Sequence, residues 1–317
     1  MPGGYPPPLR RLILGSRGSD LARAQTAMVV SALRYAWPAL ELVVEIIKTR
    51  GDEPGTKAID PRAGRKGLFT AEIERVLAAG EIDVAVHSAK DLPSDIGPAG
   101  LELRSVLPRA AVDDVLIAKI PGGLASLRTN AVVATGSIRR QHQLRWKRPG
   151  IQVVELRGNV PTRLRKLTTN EWDAIVLARA GVERLGYDLS TGLFAFEGLP
   201  LYAEVLLRDE FLPAGGQGII ALQVRSDDET TKAMVDRINH EKTLLCLRAE
   251  REFLRLFQGD CASPVGVLAT IGGEILRMRA QVFAPGKSEP QVGEVEGSIG
   301  CGVESLATVL LGRINGR

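Results

Sequence analysis

The sequence predicts an α/β protein with two lobes of similar build and a smaller C-terminal α+β domain that contains an antiparallel sheet. Three observations support this prediction: strands and helices alternate early in the chain, the alternation recurs, and the pattern then changes. The 317 residues are enough for about two or three domains. Hydrophobic residues make up 44% and charged residues 25%, which indicates a folded globular protein and excludes a disordered chain.

The first lobe is predicted from a β-α-β-α-β pattern, which favours a largely parallel sheet. A short buried strand at 11–14 runs into a Gly-Ser-Arg-Gly turn, and a helix follows with Ser19 as its N-cap. One face of this helix is expected to carry Leu21, Ala24, Met28 and Leu33. The other predicted elements are a strand at 42–47, a loop at 49–65, a helix at about 68–79 and a strand at 82–86.

The same pattern recurs in the second lobe, with predicted strands at 131–134, 151–156 and 173–178. The residues that lead into two buried strands, at 81–84 and 171–174, are also alike. We interpret this as a weak internal repeat, although any two β-α-β units share this degree of similarity. Two such lobes favour a cleft between them, where ligands commonly bind.

A different pattern marks the C-terminal domain. A helix at about 243–257 is followed by a loop at 258–264 and a strand at 265–270. After the hairpin signal Gly272-Gly273, apolar and polar residues alternate from 276 to 282, which predicts a half-exposed antiparallel sheet. The predicted divisions are a flexible tail at 1–9, a first domain at 10–107 plus about 218–237, a second at 112–212 and a third at 241–317.

Positive charge is concentrated in one stretch of the chain, although the formal net charge is only +4. Residues 128–166 contain ten Lys or Arg and one acidic residue, Glu155. Such an excess indicates an anionic partner or a heavily solvated surface. Nucleic acid is the less favoured partner, because Trp146 is the single Phe, Trp or Tyr of the stretch and no nucleic-acid-binding motif is present. A small polyanionic substrate fits better.

Two turns that each follow a strand and open a helix are candidate anion-binding sites, at 15–19 and 136–140. Each presents helix N-terminal N–H groups, serine hydroxyls and a guanidinium, which together bind carboxylate or phosphate. One such turn alone is weak evidence, since Gly and Ser there often serve only as turn and cap. Arg157 and Arg163 near a third turn strengthen the interpretation that anions bind here.

A candidate catalytic carboxylate follows the predicted strand at 82–86. Asp91 stands beside Lys90 and ahead of Pro93, and active sites of parallel sheets lie at the C-terminal ends of the strands. Its carboxylate could act as a general acid and base, or as a counter-ion to a developing cation. On composition alone, a surface Lys–Asp pair in a turn is the better-supported alternative.

The three cysteines, at positions 246, 261 and 301, are far apart in the chain. An odd count without a CxxC pair argues against a disulfide framework and against a structural zinc site. Cys261 lies in a predicted loop and is a candidate nucleophile or attachment point, although Asp260 disfavours its thiolate. Cys246 is expected in the core, and Cys301 in a structural loop.

Seven segments, taken together, resemble the porphobilinogen deaminase (hydroxymethylbilane synthase) family. They occur in the family's order and cover nearly the whole chain from Arg11 onward, so the resemblance is highly specific. The segments are GSRGSDLA (15–22), KGLF (66–69), DVAVHSAKDLP (83–93), GSIRRQ (136–141), LRGNVPTRL (156–164), LPAGGQG (212–218) and GDCASPVG (259–266).

This resemblance implies two periplasmic-binding-protein-like α/β lobes with a hinge and a cleft, followed by the smaller third domain. It implies a transferase of haem and porphyrin biosynthesis that condenses four porphobilinogen molecules, with release of ammonia, into the linear tetrapyrrole hydroxymethylbilane. The chain would grow on a dipyrromethane cofactor bound by a thioether to Cys261, with Asp91 as the catalytic aspartate. The positions that correspond to carboxylate-binding residues are Arg17, Ser19, Lys90, Ser137, Arg139, Arg140, Arg157, Arg163 and Arg184, with Ser88, Lys66 and Gln217 in supporting roles.

The sequence predicts a cytoplasmic protein that binds neither nucleic acid, membrane nor metal, and the resemblance implies a monomer. No apolar run approaches the roughly 20 residues of a membrane-spanning helix. The chain departs from the family's usual pattern at Arg65, Ala89, Gly136 and the residues around Cys261, where glycine, methionine, serine and Gly-Gly-Cys-Gln-Val-Pro are typical. A non-catalytic two-lobed module that binds small anions is the alternative; the missing signal-peptide pattern and the presence of Cys261 argue against it.

Overall fold

Three β-sheets organise the residues that the computed structural model describes, which are 11–48, 67–94, 98–257 and 264–316. The first part of the chain forms β1 (Arg11–Arg17), α1 (Asp20–Ala36), β2 (Glu41–Ile47), α2 (Gly67–Ala78), β3 (Val84–Ser88) and β4 (Leu101–Val106). The second part forms β5 (Asp114–Ala118), α3 (Gly123–Ser126), β6 (Val132–Ala134), α4 (Ile138–Lys147), β7 (Gln152–Val154), α5 (Val160–Thr169), β8 (Ala174–Ala178), α6 (Arg179–Glu183), β9 (Leu193–Phe196) and β10 (Leu199–Val205). The chain then returns to the first lobe with β11 (Ile220–Arg225) and α7 (Glu229–Asp236).

Each of the first two sheets combines a parallel part with antiparallel strands. The first has the order β2-β1-β3-β11-β4, in which β1 is parallel to β2 and β3 while β11 is antiparallel to its neighbours. The second has the order β7-β6-β8-β5-β10-β9, in which β5 is likewise antiparallel to its neighbours. The prediction of a largely parallel sheet is therefore only partly correct. Strands β11 and β5 each form directly after the chain has crossed from the other lobe, so no crossover helix sets their direction.

The predicted internal repeat is visible in this shared strand order. In both lobes, an aspartate at an equivalent position accepts a backbone N–H from a neighbouring strand. Asp83, just before β3, accepts the Ile13 N–H on its Oδ2 at 2.9 Å. Asp173, just before β8, accepts the Val132 N–H on its Oδ2 at 2.7 Å. Each aspartate therefore ties the start of one strand, β3 or β8, to its parallel neighbour, β1 or β6.

The C-terminal domain has the predicted antiparallel sheet. Its elements are α8 (Glu241–Leu256), β12 (Val265–Gly272), β13 (Ile275–Val282), β14 (Gln291–Ser298) and α9 (Val303–Ile314). The strand order is β12-β13-β14, and both helices pack on the sheet around Phe253, Met278 and Leu310. Cys246 is buried in this core, as predicted, while Cys301 is exposed. The predicted alternation holds along β13 except at Gln281, which is buried against the second lobe.

The buried face of α1 differs from the predicted one. Val29 and Leu33 are fully buried, whereas Met28 is 44% exposed. Gln25 and Thr26 complete the buried face, because their side chains form hydrogen bonds with serine hydroxyls of β3 and β1 at 2.8 and 2.7 Å. Apolar periodicity alone cannot reveal such positions, since a polar side chain with an internal partner can be buried.

Element boundaries shift by a few residues from the predicted ones. Helix α5 begins at Val160 rather than near 162, and Asn159 caps it by accepting the Thr162 N–H at 2.9 Å. The predicted tail at 1–9, the loop at 49–65 and loop residues 258–263 lie outside the described residues. Among the described helices, none combines the length and apolar character needed to cross a membrane.

Candidate active site

The turn that follows β3 holds Asp91 in a defined position. A short 3-10 helix over Ala89–Asp91 continues directly from β3. Ala89 is buried, and its N–H donates to the Ile219 carbonyl of the returning chain at 3.0 Å. Asp91 therefore lies at the C-terminal end of a parallel strand, where the sequence predicted a catalytic carboxylate.

Gly216 supports this turn from the side of the returning chain. Its φ is +74°, and a Cβ there would lie 2.9 Å from both the Ala89 carbonyl carbon and the Lys90 nitrogen. A residue with a side chain would meet two obstacles here, the left-handed backbone and the contact with the neighbouring peptide.

Four cationic side chains form one electrostatic cluster with Asp91: Lys90, Arg139, Arg140 and Arg163. Burial, followed by the charge of Arg140, lowers the pKa of Lys90 to about 8. Burial and Arg140 also lower the pKa of Arg163 to about 10, while Asp91 acts in the opposite direction. Positive charges in this cluster thus repel one another, and a bound anion would relieve the repulsion.

The cluster lies where the two lobes meet. Lys90 and Asp91 belong to the first lobe, and the three arginines belong to α4 and α5 of the second. At the same junction, a Cβ on Gly181 of α6 would lie 3.5 Å from Leu21 Cδ2 of α1. The two lobes are therefore in contact, and ligand sites commonly lie where two such units meet.

A buried carboxylate, Asp114 at the start of β5, pairs with two of the arginines. Arg139 Nη1 donates to Asp114 Oδ2 at 2.7 Å, and Arg140 Nη2 donates to Oδ1 at 2.8 Å. Burial alone would raise the pKa of Asp114, but the charges and hydrogen bonds of Arg139 and Arg140 hold it well below its usual range. Sequence reasoning missed this residue, although two consecutive acids before an apolar strand are a visible signal.

Three arginines of the site have a buried N–H donor without a partner. The Nε atoms of Arg139, Arg140 and Arg184 are buried and make no hydrogen bond within the described structure. Arg184 otherwise donates its Nη2 to the Gly218 carbonyl at 2.8 Å. Buried donors are rarely left unpaired, so these N–H groups are candidate donors to a bound anion.

Two predicted carboxylate-binding residues lie at helix starts. Ser19 Oγ accepts the Ala22 N–H at 3.3 Å and caps α1, as predicted. Ser137 immediately precedes α4 and makes no capping hydrogen bond with its side chain. The N-terminal ends of these helices carry partial positive charge, which favours anions nearby.

The remaining predicted arginines, Arg157 and Arg17, differ in their surroundings. Arg157 is exposed, and its Nε donates to Glu155 Oε1 at 2.8 Å. Arg17, at the end of β1, contributes to lowering the pKa of His87 to about 4, after the larger effect of burial. His87 Nε2 is 3.1 Å from Gln223 Oε1, so this buried imidazole is neutral and has a structural partner.

The supporting residues are only partly within the described structure. Ser88 Oγ lies 2.8 Å from Gln25 Nε2, and Gln217 donates its Nε2 to Asp114 Oδ1 at 2.8 Å. Lys66 and Cys261 lie outside the described residues.

Comparison with known proteins identifies the family. Residues 12–233 match the family model "Porphobilinogen deaminase, dipyromethane cofactor binding domain", and residues 244–310 match "Porphobilinogen deaminase, C-terminal domain". The chain belongs to the porphobilinogen deaminase family. It is therefore a transferase of porphyrin biosynthesis, as the sequence motifs predicted.

Curated relatives match over most of their length. The porphobilinogen deaminase of Roseiflexus sp. (strain RS-1) is 43% identical over 273 residues, which cover 86% of each chain. That of Syntrophomonas wolfei subsp. wolfei is 42% identical over 274 residues, which cover 86% of this chain and 85% of the relative. Among solved structures, the Bordetella pertussis BvgS periplasmic VFT2 domain matches with a TM-score of 0.43 and 14% identity, over 72% of this chain and 86% of the other.

A metal site would need several His, Cys, Asp or Glu side chains close together. Within the part of the chain that the structure describes, no group of His, Cys, Asp and Glu side chains could hold a metal ion.

Proposed function

We propose that this member of the porphobilinogen deaminase family uses Asp91 to join four porphobilinogen molecules, with release of ammonia, into hydroxymethylbilane. The observation that carries the proposal is the position of Asp91 at the end of β3, inside a cluster of four cations. A porphobilinogen molecule brings two carboxylates, an acetate and a propionate, together with an amine that must leave. The site supplies cations for the two carboxylates and the Asp91 carboxylate for the amine.

The residues present fit the dipyrromethane cofactor, which carries the same carboxylates. Three buried guanidinium N–H groups lack a partner among the described residues, and the described cations of the cluster outnumber its described acids, Asp91 and Asp114. We propose that cofactor and substrate carboxylates bind to Arg17, Ser19, Lys90, Ser137, Arg139, Arg140, Arg157, Arg163 and Arg184, with support from Ser88, Lys66 and Gln217. An anion 4 Å from one such cation gains about 4 kcal/mol at an effective dielectric constant of 20.

Asp91 can serve each stage of the condensation in turn. When bound, the cofactor supplies the pyrrole to which the first substrate is joined. The leaving amine must be protonated: as the C–N bond of the substrate's ammonium group breaks, its electron pair leaves with ammonia, and the Asp91 carboxylate stabilises the cation left on the substrate. A new C–C bond then forms, and the pyrrole that attacked loses a proton, for which Asp91 is the nearby base.

Gly216→Ala is expected to lower both stability and turnover, because a new Cβ would press on the peptide between Ala89 and Lys90. Gly273→Ala is the matched control: φ is +60° there, but no atom lies within 4 Å of the added Cβ. The control should cost about 1–2 kcal/mol for its left-handed backbone and leave turnover unchanged. Urea unfolding and the rate of porphobilinogen consumption measure both effects; equal losses in the two variants would refute the support assigned to Gly216.

The thioether to the cofactor is assigned to Cys261 within this proposal. The other two cysteines are poorer candidates: burial and Glu250 raise the pKa of Cys246 to about 12, and Cys301 ends a short 3-10 helix in the C-terminal domain. A thiol with so high a pKa forms little thiolate near neutral pH, and the thiolate is the reactive form.

Intact mass of the denatured protein tests this assignment. The wild type is expected to carry two condensed pyrrole units on the peptide that contains Cys261. Cys261→Ser should lack this mass, whereas the control Cys301→Ser should keep it. If wild-type Cys261 stays unmodified even after incubation with porphobilinogen, the assignment of the thioether to Cys261 is wrong.

We further propose that the protein acts as a cytoplasmic monomer divided at 10–107 plus about 218–237, 112–212 and 241–317. The three sheets support this division, since each falls within one of these parts. We propose that the basic stretch serves the substrate and not nucleic acid. Nucleic-acid affinity that falls steeply with salt would contradict this.

A further inference from the structure

Asp114 is a buried acid with an unusual number of donors. Its side chain is fully buried, and it accepts hydrogen bonds from Arg139, Arg140 and Gln217 at 2.7, 2.8 and 2.8 Å. The two arginines are also almost fully buried, at 4% and 5% exposure. Without this carboxylate, two guanidinium groups would stand side by side in a poorly hydrated site with no opposite charge bound to either.

The hydrogen bonds of Asp114 leave part of each guanidinium unused. Arg139 uses Nη1 for Asp114, and Arg140 uses Nη2, while both Nε atoms are buried and have no partner in the part of the chain that the structure describes. A guanidinium is planar, so fixing its Nη atoms also fixes where its Nε–H points. The carboxylate thus holds both arginines in orientations in which a donor is available for an incoming anion.

The same carboxylate connects the arginines to the returning chain. Gln217 Nε2 donates to Asp114 Oδ1, and Arg139 Nη1 donates also to the Leu212 carbonyl at 2.7 Å. The segment between these two residues includes Gly216, which packs on the peptide next to Lys90. Asp114 therefore joins the arginines of the second lobe to the segment that supports Asp91 in the first.

We propose that Asp114 is a positioning residue that orients Arg139 and Arg140 toward the carboxylates of cofactor and substrate. The proposal rests on the carboxylate-binding role proposed above for these two arginines. Asp114 does not touch the reacting atoms. It acts by holding the guanidinium groups in place, and its negative charge allows two arginines and Lys90 to remain charged together in a buried site.

Asp114→Asn is the first test, made on the holoenzyme. It should lower kcat/KM for porphobilinogen by about tenfold or more, chiefly through KM, since a 1 Å misplacement can cost about a hundredfold. The fraction of protein that carries the cofactor by intact mass should also fall. Asp113→Asn is the matched control: its carboxylate pairs with the half-exposed Arg208 at 2.8 Å, and both readouts should stay at wild-type values.

The pH profile separates positioning from a merely structural role. The charged groups that act on Lys90 are Arg139, Arg140, Asp91 and Asp114, and the two acids favour its ammonium form. Loss of the Asp114 charge should therefore lower the pKa of Lys90, and the rise of KM on the alkaline side should begin at lower pH. Asp114→Glu keeps the charge but moves the carboxylate. It should restore the pH at which KM begins to rise, while KM itself should stay above the wild-type value.

A double-mutant comparison decides through which groups Asp114 acts. Because Asp114 works in part through Arg139, the losses of affinity in D114N and R139Q should not multiply fully in D114N/R139Q; what remains is the effect on Arg140. The double variant also removes one charge of each sign, which favours folding if D114N alone does not fold. The proposal would be overturned if D114N kept the KM, the cofactor loading and the alkaline part of the pH profile of the wild type. It would also be overturned if the losses of affinity in D114N and R139Q multiplied fully in the double variant. Wild-type KM in R139Q would instead refute the carboxylate-binding role of Arg139, which distinguishes the two failures.

Discussion

Asp91→Asn is expected to lower kcat for hydroxymethylbilane formation by about 10²- to 10⁴-fold, the usual contribution of a positioned acid–base group. Asparagine is nearly isosteric with aspartate, so the 3-10 turn over Ala89–Asp91 and its hydrogen bond to Ile219 should persist. The amide can neither exchange a proton nor neutralise a cation. Chemistry should therefore fail while the protein keeps its fold and its cofactor.

Three measurements on the same sample test this expectation: single-turnover kinetics with porphobilinogen, intact mass and thermal unfolding. Asp227→Asn is a suitable control, because Asp227 is an exposed acid of the first lobe, between β11 and α7. The control should turn over at the wild-type rate. A kcat within threefold of wild type in Asp91→Asn would exclude Asp91 as the catalytic group.

The second large effect is expected on stability, at Glu250 of α8. This carboxylate is fully buried and accepts two hydrogen bonds from Arg109, at 2.6 and 3.2 Å. It also accepts the N–H groups of Gly216 and Ala269, both at 2.7 Å. Glu250 thus holds together the C-terminal domain, the segment after β4 and the returning chain.

Glu250→Gln should lower the free energy of unfolding by about 3–5 kcal/mol, the usual cost of breaking a buried ion pair. The reason is that Arg109 loses its counter-ion, and the new amide NH₂ must face a backbone N–H that has lost its acceptor. Urea titration followed by circular dichroism measures the loss.

Glu252→Gln provides the control for this experiment on the same helix. Glu252 pairs with Arg255 at 2.7 Å, but the Arg255 side chain is 46% exposed. Surface pairs of this kind contribute about 0–1 kcal/mol, so the control should unfold almost like the wild type. Similar losses in the two variants would show that the buried pair is not a major link between the domains.

Much of the fold could be predicted because its signals are local. The cap of α1 at Ser19, the helix that opens after Ser137 and the alternation along β13 each depend on residues within a few positions of one another. For the candidate site, the end of a strand and a turn made Asp91 only a candidate, and the resemblance to the family gave it the catalytic role. Its catalytic role remains a prediction that the Asp91→Asn experiment will test.

The errors and omissions have a common cause in long-range contacts. The antiparallel β11 joins the first sheet after the chain has crossed the second lobe, so nothing near it in the sequence indicates its direction. Gln25 is buried on α1 because of a serine 63 residues away. No pattern within a helix can report a partner at that distance.

The sequence by itself determined the family and the three-part order of elements. It also named Asp91 and a set of arginines as candidate site residues. Only the tertiary structure decided which of those charges are already paired. Asp114 meets Gln217 across 103 residues, and Arg109 meets Glu250 across 141. Pairing of buried charges depends on which chain segments the fold brings within hydrogen-bond distance, and a one-dimensional pattern does not contain that distance.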